Sequence, residues 1–166
     1  QVGTVFALCE ESGLRPDLRR ALVARALDGT ARVSTDPLAS PTGFPFKVAQ
    51  LNGTLSEDAV YRQRHRICDL GFLREPYRRA DGTIGYRCPA EPEASFLAKG
   101  GQAEDLDGRK CVCNALMANI GLGQRLPGGI EPCLLTLGDS FANVRRFCRP
   151  GSLDYSAADV IRILLG

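Results

Sequence analysis

The spacing of hydrophobic and polar positions changes along the chain, and each change predicts an element. Residues 2–8 form an apolar run typical of a short buried strand, broken early at Gly3-Thr4 and leading into a turn or helix. Pro16 suits the first position of a helix, and apolar residues then recur at helical spacing until Gly29, a typical helix end. These apolar residues are Leu18, Leu22, Ala26 and Leu27. Residues 32–35 predict a further strand.

The middle of the chain alternates irregular stretches with short elements. Residues 36–47 contain three prolines and a glycine, which exclude regular structure, although their apolar side chains argue against a floppy linker. Ser56 is typical of the N-cap of a helix, which we expect to run to about Arg64. Residues 67–91 predict a loop and a hairpin, with Asp81-Gly82 as the turn.

Four helices are predicted in the remainder of the chain. One covers residues 93–99 and stops at two glycines, and another covers residues 109–120. Asp139 and Ser156 are typical N-caps of the last two, and Ser156 with Asp159 resembles a capping box in which Asp replaces the usual Glu.

The pattern divides the chain into one strand–helix unit, residues 1–30, and an irregular, mainly helical stretch, residues 31–166. The sequence starts with Gln1 rather than Met and opens directly on an apolar segment, whereas a domain more often has a polar lead. We therefore expect the sequence to begin partway through a larger protein.

Composition excludes several classes of function. The net charge is only +2 and Trp is absent, so the basic patch around residues 62–66 does not indicate a nucleic-acid reader. No apolar run approaches the roughly 20 residues of a membrane span, and no signal peptide is recognisable. We expect a cytoplasmic protein with neither nucleic acid nor membrane as partner.

Seven cysteines require an explanation. An odd number without a secretion signal argues against a disulfide scaffold and for reduced thiols or a metal site. Cys68, Cys88, Cys111 and Cys113 are candidate zinc ligands, but Cys68 and Cys88 stand apart from any partner at the usual spacing. Buried core thiols are the alternative, and an iron–sulfur centre is disfavoured because compact cysteine runs are missing. The remaining three, Cys9, Cys133 and Cys148, lie in apolar settings typical of a core.

Gly3-Thr4 is a candidate phosphate site. A strand that ends in glycine and a hydroxyl residue before a helix presents backbone N–H groups to a phosphate, and glycine permits close approach. In (β/α)₈ barrels, phosphates bind at the loops that follow strands seven and eight. The motif is short, and a glycine that serves only a tight strand exit is the alternative.

Segments along nearly the whole chain resemble the C-terminal part of a long bacterial branch of the nitronate monooxygenase (2-nitropropane dioxygenase) family. The matching segments are QVGTVFA (1–7), CEESGL (9–14), TDPLASPTGFPFKV (35–48), RICDLG (66–71), GYRCPAEP (85–92), GRKCVCN (108–114) and YSAADV (155–160). The resemblance implies an α/β fold in which residues 1–30 are the eighth strand and helix of an FMN-binding (β/α)₈ TIM barrel. Residues 31–166 would then form a helix- and loop-rich cap.

The same resemblance implies a flavin-dependent oxidoreductase that oxidises nitronates or nitroalkanes with O₂. Gly3 and Thr4 would contact the FMN phosphate. Lys47 could stabilise negative charge on the phosphate or the reduced flavin, or be a surface lysine packed on neighbouring Phe side chains. The family's proposed catalytic His lies on an earlier strand, upstream of this sequence, and His65 is expected to be an exposed surface residue.

The partners and the first alternative function follow from the same resemblance, whereas the second alternative follows from the cysteines. The expected partners are a small-molecule substrate, the remainder of the chain's own barrel and a possible second copy in a homo-oligomer. Alternative functions are a flavin-dependent enoyl reductase that uses a nicotinamide donor, and a cysteine-ligated zinc module for protein contacts.

Overall fold

The computed structural model describes residues 2–166, so Gln1 of the QVGTVFA segment lies outside the described residues. The helices are α1 (Gly3–Ala7), α2 (Pro16–Leu27), α3 (Asp58–Gln63), α4 (Glu93–Ala98), α5 (Cys113–Ala118) and α6 (Ala157–Leu165). The strands are β1 (Val33–Asp36), β2 (Phe46–Ala49), β3 (Glu75–Arg78), β4 (Ile84–Arg87), β5 (Arg125–Leu126) and β6 (Gly129–Ile130). They form three separate antiparallel pairs, β1–β2, β3–β4 and β5–β6, so residues 2–166 contain no closed barrel.

The first segment is a helix, and the strand predicted for residues 2–8 is wrong for this structure. The Phe6 N–H donates to the Val2 carbonyl oxygen over 3.2 Å, and the Leu8 N–H donates to the Thr4 carbonyl oxygen over 3.2 Å. A strand needs a neighbour to satisfy its backbone groups. The segment satisfies its own groups instead, while Val5 and Leu8 are buried as the apolar pattern requires.

Helix α2 confirms the prediction made from its apolar spacing. Pro16 stands in the first turn, and Gly29 follows the helix with a φ of +76°, a left-handed conformation that favours glycine. Leu22 and Val23 are fully buried. The buried Arg19 guanidinium donates to Asp154 Oδ1 over 2.7 Å, which fastens the helix to the distant segment before α6.

Strands β1 and β2 enclose the irregular loop of residues 37–45. The strand predicted at 32–35 is confirmed with a shift of one residue, whereas Phe46 and Lys47, assigned to the irregular stretch, belong to β2. An isolated antiparallel β-bridge between Val48 and Thr136 places the segment around Thr136 alongside β2. There the Leu137 N–H donates to the Lys47 carbonyl oxygen over 3.1 Å.

Two predicted N-caps are wrong, and one is confirmed. Ser56 does not cap α3, because its hydroxyl instead accepts the Leu51 N–H within the preceding turn, over 3.2 Å. Asp139 precedes no α-helix, and the nearest helical turn is a short 3₁₀ segment at Val144–Arg146. Ser156 and Asp159 form the predicted capping box of α6.

The other expectations concern short elements. The hairpin predicted within residues 67–91 is confirmed as β3–β4, and the helix predicted at 93–99 is confirmed as α4. The helix predicted at 109–120 is shorter, because α5 begins only at Cys113. The β5–β6 hairpin was not predicted.

Two groups of buried side chains form the core. The main cluster joins α1, α2 and α6 to residues 133–137, so residues on both sides of position 30 share it. Tyr155 lies fully buried within it, and its hydroxyl donates to the Val5 carbonyl oxygen over 2.7 Å. The smaller cluster consists of Ala39, Val48, Leu55, Val112, Ala115 and Leu134. In the part of the chain that the structure describes, no helix is long and apolar enough to cross a membrane.

Candidate functional site

A cleft of about 350 Å³ lies where α1, β2 and the segment 136–140 meet. Its lining consists of Gly3, Thr4, Ala7, Lys47, Thr136, Leu137, Gly138, Asp139 and Ser140. Gly3, Thr4 and Lys47, the three residues that the sequence pointed to as cofactor contacts, therefore line the same cleft.

Lys47 is positioned by β2 and held by an acidic partner. Its side chain is half exposed, between the partly buried Phe46 and the buried Val48. The ammonium donates to both carboxylate oxygens of Asp139 over 3.2 Å, and this contact lowers the pKa of Asp139. Exposed pairs of this kind contribute little to stability, because water and salt screen their charges. An incoming anion can therefore compete with Asp139 for the lysine.

Thr4 and Gly138 approach each other closely on the opposite wall. Thr4 is buried, and a Cβ added to Gly138 would lie 2.7 Å from Thr4 Oγ1, closer than real contacts allow. Only glycine fits at position 138 without moving the threonine. By contrast, a Cβ added to Gly3 would meet nothing within 4 Å, so packing inside the described chain does not require glycine there. The space in front of Gly3 is open.

The side chains that line the cleft are better suited to binding an anion than to catalysing a reaction. Thr4, Thr136 and Ser140 supply hydroxyl donors, and Lys47 supplies a cation. Lys47 and Asp139 are the ionisable residues of the lining, and they neutralise one another. The lining holds no histidine or cysteine to act as base or nucleophile, and His65 is exposed and lies elsewhere, against the β5–β6 turn.

Sequence reasoning missed half of this cleft. Of residues 136–140, the sequence pattern singled out only Asp139, as a helix N-cap. The signal that could have found them is the run Gly138-Asp139-Ser140, small and polar residues of the kind that form loops around ligands. Their position beside Lys47 depends on the Val48–Thr136 bridge, which no local pattern reveals.

The four candidate zinc ligands come from three loops that meet. Cys68 precedes β3, Cys88 follows β4, Cys111 precedes α5, and Cys113 is the first residue of α5. Cys68 and Cys111 line one cavity of about 170 Å³ with Arg66, Ala90, Glu91 and Pro92. Burial raises the pKa of the Cys88 thiol to about 11, and the nearby thiols of the other three cysteines add to the rise.

These thiols stand near one another, but their arrangement is not that of a metal site. Among residues 2–166, no group of three or more His, Cys, Asp or Glu side chains is arranged closely enough to hold a metal. Cys68 is exposed, Cys111 is half-buried, and Cys88 and Cys113 are buried. Burial also raises the pKa of Cys111, against the opposing effect of the Arg64 guanidinium.

The other three cysteines belong to the main core, as their apolar settings predicted. Cys9 and Cys133 are buried there, and Cys148 packs against its edge. The Cys9 thiol donates to the Phe6 carbonyl oxygen over 3.0 Å, and the Arg15 guanidinium donates to Cys133 Sγ over 3.4 Å. These contacts indicate that the three cysteines serve to pack the core.

Comparisons of the chain with protein-family models, with curated proteins and with solved structures find no match. The resemblance to nitronate monooxygenases consequently rests on the sequence segments alone and stays a prediction.

Proposed function

We propose that the cleft binds the phosphate end of FMN and that the chain is the C-terminal part of a flavin-dependent oxidoreductase similar to the nitronate monooxygenases. One observation carries the proposal. Gly3 and Thr4 were named as phosphate contacts and Lys47 as the accompanying cation from separate parts of the sequence, and all three line one cleft.

The donors of the cleft match a phosphate group. Thr4 and its neighbouring hydroxyls supply neutral donors, the open space at Gly3 admits close approach to the backbone, and Lys47 supplies positive charge. Asp139 opposes an anion, but the exposed Lys47–Asp139 pair is weak enough for the ammonium to turn to a phosphate oxygen.

The size of the cleft limits what this chain contributes. Small-molecule sites span about 300 to 1,000 Å³, and a cleft of about 350 Å³ suits the phosphate with part of the ribityl chain. When bound, FMN supplies the transfer of electrons from a nitronate or nitroalkane to O₂. The residues of this chain anchor and orient it, while the ring and the catalytic histidine would be held by earlier barrel strands. We expect the isolated chain to be inactive.

Titration of the chain with FMN and with inorganic phosphate tests the proposal. Amide resonances of Gly3, Thr4 and Gly138 should shift with a dissociation constant on the order of 1 mM, because most of the flavin pocket is missing. Lys47→Met and Gly3→Val should weaken the response, the second because a β-branched side chain fills the open approach.

Lys99→Met is the matched control, since Lys99 also pairs with a carboxylate but lies outside the cleft. Unchanged cleft resonances at tens of millimolar phosphate would contradict the phosphate site. Sub-micromolar FMN binding would contradict the assignment of this chain as one corner of the flavin site. In the complete enzyme, nitronate oxidation without NAD(P)H separates this function from an enoyl reductase.

A further inference from the structure

Two of the seven thiols, those of Cys68 and Cys111, line one small cavity together. Its volume is about 170 Å³, and its other lining residues are Arg66, Ala90, Glu91 and Pro92. Cys68 is exposed and Cys111 is half-buried, whereas Cys88 and Cys113 are buried and are not part of the lining. A dissolved reagent therefore reaches Cys68 first, and Cys111 is the thiol that shares the cavity with it.

Hydrogen bonds hold the segments that carry these two thiols against each other. The side-chain amide of Asn114, in α5, donates to the Ile67 carbonyl oxygen over 3.1 Å and to Asp69 Oδ1 over 2.8 Å, so it binds the residues on both sides of Cys68. Burial raises the pKa of Cys111, and the Cys68 thiol adds to this rise, an effect that only nearby groups exert. Such proximity is the first requirement for a disulfide.

The surroundings of Cys68 favour its reactive form. The Arg74 guanidinium donates to Cys68 Sγ over 3.7 Å, and Arg66 adds a second cation at the cavity. The thiolate is the nucleophile in thiol chemistry, and neighbouring arginines stabilise it. Burial, by contrast, raises the pKa of the Cys88 thiol to about 11, which keeps that thiol protonated at neutral pH. Cys68 is therefore the reactive member of this group of cysteines.

We propose that Cys68 is a site of thiol–disulfide exchange and that Cys111 is its resolving partner. The Cys68 thiolate attacks one sulfur of a low-molecular-weight disulfide, breaks its S–S bond and releases one thiolate, which leaves a mixed disulfide on Cys68. Cys111 gives its proton to water, and its sulfur then attacks the Cys68 sulfur and releases the second thiolate. The two protein thiols lose two electrons, the small disulfide gains them, and the released thiolates take up the two protons.

The resulting disulfide cross-links a stretch of the chain that has little apolar core. Between residues 64 and 112, the buried hydrophobic residues are Cys88, Ala90, Phe96 and Val112, and only Val112 joins a core cluster. A bond from Cys68 to Cys111 closes a loop over most of this stretch and restricts its open conformations. Oxidation should therefore stabilise the stretch between α3 and α5 and leave the main core unchanged.

Incubation of the folded, reduced chain with oxidised glutathione tests the proposal. The intact mass should fall by that of two hydrogen atoms, and peptide mapping should place the disulfide between Cys68 and Cys111. Cys111→Ser should stop at the first step and carry one glutathione on Cys68. Cys68→Ser should react about tenfold more slowly, because its remaining thiols are buried or half-buried. Cys148→Ser is the control and should still form the disulfide, because Cys148 packs at the edge of the main core.

Hydrogen exchange of the unaltered chain keeps the test independent of variants that fail to fold. Oxidation should slow exchange between residues 68 and 111 and leave α2 unchanged, and dithiothreitol should reverse the effect. A folded chain whose thiols all stay reduced in oxidised glutathione would overturn the proposal. A disulfide mapped to any other pair of cysteines, or unchanged exchange in the oxidised chain, would overturn it as well.

Discussion

The helical core, formed by α1, α2 and α6, and the thiol-rich stretch between α3 and α5, residues 64–112, are held together in different ways. In the core, α1, α2 and α6 bury large apolar side chains against each other, and Leu8, Leu22 and Tyr155 are fully buried. Between α3 and α5, most side chains are exposed or half-exposed, and Phe96 is the one large hydrophobic side chain buried there outside the two core clusters. Burial of apolar area therefore explains the first region and does not explain the second.

In the thiol-rich stretch, charged side chains make many of the contacts that apolar side chains make in the core. Arg64 and Glu131 form an ion pair in which both side chains are almost fully buried, and Arg64 also reaches the Cys111 carbonyl oxygen. The Arg87 guanidinium lies 5.2 Å from the Phe96 ring centroid and donates to Glu75 Oε1 over 2.8 Å. Such contacts give specific geometry but little net stability, because charges lose hydration when they are buried.

The largest expected effect comes from breaking the buried ion pair. Glu131→Leu should lower the free energy of unfolding by about 3–5 kcal/mol, because it leaves the Arg64 charge buried and unpaired. The double variant Arg64→Met with Glu131→Leu should recover much of the loss, since no charge is then left without a partner. Urea unfolding measures both.

Asp17→Asn is the control for that experiment. Asp17 pairs with Arg15 on the surface, and its loss should cost less than about 1 kcal/mol. If the double variant were as unstable as Glu131→Leu alone, the buried charge would not be the cause of the loss.

A pair of apolar truncations compares the two regions directly. Leu22→Ala should cost about 2–5 kcal/mol, because a fully buried side chain leaves a cavity in the main core. Phe72→Ala in the thiol-rich stretch should change stability by less than about 0.5 kcal/mol, since Phe72 is 65% exposed. Thermal or urea unfolding distinguishes them. Equal losses would contradict the division into an apolar core and a weakly cored stretch.

Acid should act in opposite directions on two carboxylates, Asp159 in α6 and Glu131, which pairs with Arg64 of the thiol-rich stretch. The Ser156 N–H and hydroxyl hold the pKa of Asp159 at about 2, whereas burial raises the pKa of Glu131 despite Arg64. Stability from Asp159 is present above its unfolded pKa of about 3.9 and is lost as the pH falls toward 2. For Glu131 the sign is reversed, so protonation favours the folded state and stability from this group is lost as the pH rises through its folded pKa.

The pH dependence of unfolding for single variants measures these contributions. Asp159→Asn should flatten the loss of stability between about pH 4 and 2 and loosen α6 at neutral pH. Glu131→Gln should leave that acid loss in place. An acid profile unchanged by Asp159→Asn would refute the role of the capping box.

Local chemistry made several elements predictable. Pro16 and Gly29 bracket α2, Asp81-Gly82 forms the β3–β4 turn, and Ser156 with Asp159 caps α6. Each signal acts on backbone groups only a few residues away, and at these positions the packing of the rest of the chain agrees with it. Ser56 shows the limit of such signals. Its hydroxyl is typical of an N-cap, but it accepts a hydrogen bond from the Leu51 N–H in the preceding turn instead.

The sequence by itself singled out the candidate residues, Gly3, Thr4 and Lys47 for a cofactor phosphate and four cysteines that either bind a metal or pack as thiols, and among residues 2–166 no group is arranged to hold a metal. Tertiary structure alone decided that residues 2–8 coil into a helix, since an apolar run specifies burial but not the presence of a neighbouring strand. Tertiary structure also brought Gly138 and Asp139 to Lys47, through the pairing of Val48 with Thr136. Long-range pairing depends on the packing of the whole chain, and the spacing of residues within one segment does not encode it.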